Sequence, residues 1–151
     1  VLGTKAPVQR EYTHALIRDF AQGCAVTLVG SPELASLAEA ALSGTSVSDA
    51  AIAAEIAPCF VGDATDPAGR TDTVVLACTH YPLLLDRLER LAPWPIAWID
   101  PAPAIARRVV DLLGPATASA GDCGATMIFT SQKPHQLSQA LTSYFGGRVP
   151  A

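Results

Sequence analysis

The feature that most constrains this chain is an alternation of two kinds of apolar segment. Residues 25–30 (AVTLVG), 73–77 (TVVLA), 96–99 (IAWI) and 126–130 (TMIFT) are short runs rich in β-branched or aromatic side chains, each the length of a buried strand. Residues 1–4 read as the end of a further strand. Between them lie longer stretches with helical spacing, at 9–22, 32–42, 47–57, 83–91, 103–113 and 134–145. In the first of these, Tyr12, Ala15, Leu16 and Phe20 share one stripe. Strand alternating with helix predicts an α/β fold built on an open, mainly parallel sheet flanked by helices.

Helix starts carry matching chemistry. Ser31-Pro32 and Asp100-Pro101 are cap-then-proline pairs, and residues 46–49 put polar side chains ahead of an apolar run. Residues 61–72 (VGDATDPAGRTD) read as a loop, and 114–124 as a second polar connection.

Composition excludes several function classes. The chain has 151 residues, half of them hydrophobic and 16% charged, which supports a packed core rather than disorder. Its net charge is -4, and no cationic run exceeds Arg107 with Arg108, so no nucleic-acid partner is expected. No apolar stretch nears the about 20 residues of a membrane helix, and no membrane association is expected. The opening VLGTKAP lacks the pattern of a signal peptide, and without an initiating Met it reads as an interior piece of a longer protein. Cys24, Cys59, Cys78 and Cys123 stand apart, as reduced thiols of a cytoplasmic protein would. Cys78 and His80 are the only near neighbours with metal-ligand chemistry, too few for a metal site.

One stretch carries chemistry: residues 73–85, TVVLACTHYPLLL. The apolar run ends at Ala77 and a helix is expected from near Pro82, so Cys78, Thr79 and His80 occupy a strand-to-helix turn. In open α/β sheets that edge binds ligands, and free N–H groups at the helix start would favour an anion. His80 can accept or return the proton of Cys78, and Thr79 offers a hydroxyl and an N–H to a carboxylate. By residue type alone the turn suits a nucleophile or a general base. It equally suits a small buried thiol beside a turn-capping histidine.

Leu76-Ala77-Cys78-Thr79-His80-Tyr81-Pro82-Leu83-Leu84 resembles the second-cysteine signature of glutamate racemases, L-G-C-T-H-Y-P-L-L, in the aspartate/glutamate racemase superfamily, with Ala77 in place of its glycine. Val1-Leu2-Gly3-Thr4 is similar to the family's V-L-A-T strand end, though Lys5-Ala6-Pro7 departs from the Pro-Gly-Thr that follows it. Residues 28–39, through Ser31-Pro32 to Leu37-Ala38-Glu39, resemble A-C-P…P-L-V-E, with Ser31 replacing the cysteine. Ile99-Asp100 and the run from Ala104 to Val109 resemble V-D-S-G-E-A-I-A-R-R-V, with Pro101 for its serine.

The resemblance implies racemisation of L- and D-glutamate by two opposed cysteines, without cofactor or metal, supplying D-glutamate for peptidoglycan and hence for cell wall and cell shape. It implies Cys78 and His80 as catalytic, and Thr79 with His80 as substrate-binding. Glu39 aligns with a supporting glutamate but reads equally as a solvated helix charge; Thr4 reads equally as a residue near the substrate or a turn cap, and Asp100 first as a helix N-cap. The family's D-S-G-x-G-G motif and first cysteine, in A-C-N-T, do not occur here. The expected organisation is therefore a second racemase-type domain over 1–95 and, over 96–151, strands and helices completing the first, with half an active site. The alternatives are a racemase of another amino acid such as aspartate, or a non-catalytic α/β fragment that binds a small anion or a partner chain, with self-association as a homodimer open. A thiol hydrolase or transferase would lack an orienting acid.

Overall fold

The structure, a computed structural model, describes residues 1–114. Its strands are β1 (Leu2–Thr4), β2 (Val29–Ser31), β3 (Thr73–Ala77) and β4 (Ala97–Ile99), all parallel, in the order β2-β1-β3-β4. The helices are α1 (Lys5–Val8), α2 (Glu11–Phe20), α3 (Leu34–Leu42), α4 (Asp49–Ile56), α5 (Leu85–Leu91) and α6 (Ala102–Leu113). Short 3₁₀ turns follow α4 at Ala57–Cys59 and precede α5 at Tyr81–Leu84. This is the open parallel α/β sheet that the alternation predicts. The expected strand at 126–130, the helix at 134–145, the connection beyond Gly114 and Cys123 lie outside the described residues.

Three boundaries differ from expectation for physical reasons. The run 25–30 pairs only from Val29, because the register sets Leu2 against Val29 and places the earlier residues beyond the end of β1. The helix expected from residue 83 begins as a 3₁₀ turn: Leu83 N–H closes onto the carbonyl three residues back, at His80, and Pro82 has no N–H to give. The stripe on α2 forms but stays open among the described residues, with Tyr12 71% and Phe20 81% exposed. Periodicity specifies an apolar face and is silent on what meets it.

Leu2 pairs with both Val29 and Leu76, and residues level across parallel strands share a face. Leu2, Val29, Leu76 and Val74 therefore form one apolar surface. Onto it pack Leu34 and Ala38 of α3, Ile52 and Ile56 of α4, and Leu88 of α5, with Tyr81 and Leu84 from the 3₁₀ turn. Caps hold the helix starts: Ser48 Oγ accepts from Ala51 N–H at 3.1 Å, and Asp100 Oδ1 from Ala102 N–H at 2.9 Å. The 61–72 loop is anchored where Trp94 Nε1 donates to the Thr71 carbonyl at 2.8 Å, under the Arg70 guanidinium. β4, which falls in the 96–151 portion, pairs with β3 through Val74 and Trp98.

On the opposite face Gly3 and Gly30 lie level, and Val8 of α1 presses onto both. A Cβ at Gly30 would stand 2.9 Å from Val8 Cγ2 and 3.1 Å from the Lys5 Cα. Gly30→Ala is therefore expected to destabilise the fold by about 1–2 kcal/mol, overpacking outweighing the gain from a stiffer unfolded chain. Denaturant unfolding of the two proteins checks this, and equal midpoints would contradict the packing described.

Candidate functional site

The sheet's carboxyl edge assembles the site. Gly3 is level with Ala77 and Thr4 with Ser31, so one further step brings Cys78 to the level of Thr4 and Ser31. Cys78 is half-buried against the core, Thr79 is exposed, and His80 is half-buried. The Cys78 Sγ lies 3.9 Å from His80 Nδ1. On the far side of the ring, His80 Nε2 meets Glu39 Oε1 of α3 at 2.6 Å.

A carboxylate only accepts hydrogen bonds, so Nε2 must carry the proton that joins the ring to Glu39. In the neutral imidazole Nδ1 then presents its lone pair to the Cys78 thiol. Glu39 fixes the tautomer as well as the ring plane. The His80 and Glu39 side chains are 34% and 62% exposed, so the pair is worth about 0–1 kcal/mol to stability, and its effect is orientation. Glu39 is thus placed on His80 rather than solvated alone, and it supplies the orienting acid absent from the sequence reading.

Thr4 occupies the N-cap position of α1 without a side-chain capping bond, whereas Asp100 caps as read. The amides expected to face an anion are largely engaged. Tyr81 N–H donates to the Cys78 carbonyl at 3.2 Å and Leu83 N–H to that of His80 at 3.1 Å. Thr79, exposed beside Cys78, keeps the hydroxyl that the sequence reading assigns to a carboxylate. Cys24 is exposed and Cys59 buried, both free thiols.

Ser31, read from the sequence as a helix cap, belongs to a polar pair whose other member, Glu55, that reading missed. Ser31 is buried; its Oγ donates to the Glu55 carboxylate and accepts from Leu34 N–H at 3.0 Å. Glu55 Oε2 also accepts from Glu33 N–H at 3.2 Å. Tyr81 is fully buried and its hydroxyl has no hydrogen-bond partner among the described residues. Burial first, then the neighbouring Cys78, pushes its phenol up to about 12, despite an opposing influence of Ser31. The one available signal was Glu55 itself, an acid set among the Ala and Ile residues of the last turns of α4.

No family model matches the chain. Over 98% of its length it is 48% identical to the glutamate racemase of Brucella canis, and over 97% it is 49% identical to that of Agrobacterium fabrum. The chain is a relative of the glutamate racemases. It spans about half the length of these relatives, 53% in each case. The fold agrees: the crystal structure of Escherichia coli glutamate racemase in complex with L-glutamate and the activator UDP-MurNAc-Ala matches 80% of this chain and 44% of its own, with a TM-score of 0.65 and 40% identity. Among the described residues no helix is long and apolar enough to cross a membrane.

Two outcomes follow from the buried groups. Burial pushes the Cys59 thiol up to about 11, so at pH 8 only about one molecule in a thousand carries its reactive thiolate. Peptide mapping after iodoacetamide treatment should find Cys24 and Cys78 labelled long before Cys59, and comparable rates would contradict its burial. Tyr81→Phe removes an unpartnered buried hydroxyl, so stability is expected to stay level or rise by up to about 1 kcal/mol in denaturant unfolding. A loss above that would reveal a bond to the phenol.

Proposed function

We propose that this chain is the portion of a glutamate racemase that carries the second of two opposed cysteine acid–base groups. The observation that carries the reading is the relay Cys78–His80–Glu39 at the carboxyl edge of the sheet. The α-proton of an amino acid is so weakly acidic that its base must be partly desolvated and well aimed. Cys78, half-buried and facing the Nδ1 lone pair, meets both needs. It gives its S–H proton to His80, and the resulting thiolate takes the α-proton of L-glutamate, forming a new S–H bond and leaving the electron pair on the α-carbon. A second thiol on the opposite face protonates that carbon and becomes the thiolate; that sulfur regains a proton and His80 releases the one it took before the next turnover, so the net change is inversion of glutamate alone.

That second thiol belongs to the part of the relatives that this chain does not span. Thr79 and His80 bind the substrate carboxylate, where fixed donors stabilise the developing carbanion. No metal or cofactor is assigned a role. Residues 1–95 are the second racemase-type domain, and 96–151 lead through β4 toward the first. The whole protein supplies D-glutamate for peptidoglycan, and so for cell wall and cell shape, in a bacterial cytoplasm.

Glu39 also favours a second reading, since a Cys–His–Glu arrangement serves a thiol nucleophile in acyl transfer. A proton NMR experiment separates them. In heavy water the chain should exchange the α-proton of L-glutamate, and Cys78→Ala should abolish the exchange. No exchange from either enantiomer, even after addition of the part of the Brucella canis racemase that this chain does not match, overturns the racemase reading. An acyl adduct on Cys78 after treatment with a p-nitrophenyl ester would favour the nucleophile instead.

A further inference from the structure

We propose that Ser31 and Glu55 are positioning residues for His80, acting through the placement of α3, whose Glu39 orients the imidazole. The proposal rests on reading Cys78 and His80 as the acid–base pair.

The Glu39–His80 contact lies in solvent and is too weak to hold its own geometry. Its restraint must come from whatever fixes α3. Helix α3 has nine residues, and Glu39 lies five beyond its first, Leu34, about 7.5 Å along the axis. The first turn is tied down at one point, buried at Ser31 and partly open to solvent at Glu55. Ser31, the last residue of β2, accepts from Leu34 N–H, and Glu55 of α4 accepts from Glu33 N–H. These two anchors are joined by the Ser31–Glu55 bond. A serine hydroxyl has one proton and is a free rotor. Donation to Glu55 fixes that rotor, and with it the lone pair aimed at Leu34.

A helix cap alone would not call for a carboxylate, whose desolvation is unfavourable. Here the carboxylate links β2, α3 and α4 at one position. The other end of the lever meets the catalytic turn directly: Leu34 and Ala38 share the core with Tyr81 and Leu84, which flank and follow His80. A shift of α3 therefore moves Glu39 off Nε2 and lets the ring turn away from Cys78. Errors of about 0.5 Å matter in such constellations.

The test uses the 151-residue chain and needs no glutamate. The charge-assisted Nε2–H of His80 should give a downfield proton signal at low temperature, shifted upfield in Glu39→Gln. Ser31→Ala and Glu55→Ala should each move that signal upfield and slow iodoacetamide labelling of Cys78 by about 3–10-fold, measured by peptide mass spectrometry. Ser31→Thr, which keeps the hydroxyl, should restore both. The double variant Ser31→Ala/Glu39→Gln should label no more slowly than Glu39→Gln alone, because both act on one contact. An unmoved His80 signal in Ser31→Ala and Glu55→Ala, or multiplying effects in the double variant, overturns the proposal and leaves Ser31 an ordinary cap. Should Ser31→Ala fail to fold, Glu55→Ala decides the matter, since it leaves the cap in place. Failure of glutamate exchange even with the unmatched part of the Brucella canis racemase added would count against the racemase reading alone, because neither of these readouts depends on it.

Discussion

Everything at the site depends on the double pairing of β1. This strand is three residues long, yet it hydrogen-bonds to β2 on one side and β3 on the other, with Leu2 fully buried between Val29 and Leu76. A slip of one residue would turn Leu2 out of the core and Gly3 into it, so the apolar face enforces the register. The same register brings Thr4, Ser31 and Cys78 to one level at the carboxyl edge. Chemistry and packing are thus set by a single alignment. The glycines on the reverse face let α1 lie close without disturbing it.

The site divides its work between an exposed pair and a part-buried one. Glu39 and His80 face water, where a charge pair contributes little to stability but remains free to exchange protons with a ligand. Ser31 and Glu55 lie deeper, where hydrogen bonds are less readily replaced by water. Tyr81 extends that interior from the residue next to His80, carrying a hydroxyl with no partner among the described residues. An unmet polar group beside the Cys78 thiol is the kind of local imperfection that clusters near functional sites.

Much of this was legible in the sequence, and what was not has a common cause. The run TVVLA is uninterrupted, so its strand bounds are those expected, and the turn holding Cys78, Thr79 and His80 follows directly. Local chemistry also located the caps at Ser48 and Asp100. Glu39 was legible through the family resemblance and otherwise, like Glu55, only as a charge on a helix, because their partners lie 41 and 24 positions away and only packing brings them together. The stripe of Tyr12, Leu16 and Phe20 shows the converse: it was visible in the pattern, but spacing cannot say what an apolar face will meet.

The reach of the His80–Glu39 contact has a consequence for how the site fails. Its two halves arrive on separate segments, one on a nine-residue helix and the other on a 3₁₀ turn beyond the next strand. Proteins open in parts, and a short helix can detach while the sheet stays intact. Undocking of α3 alone would then part the carboxylate from the imidazole with every strand still paired. Reactivity of Cys78 would follow the free energy of that local opening rather than the stability of the whole domain, and the two can be altered independently.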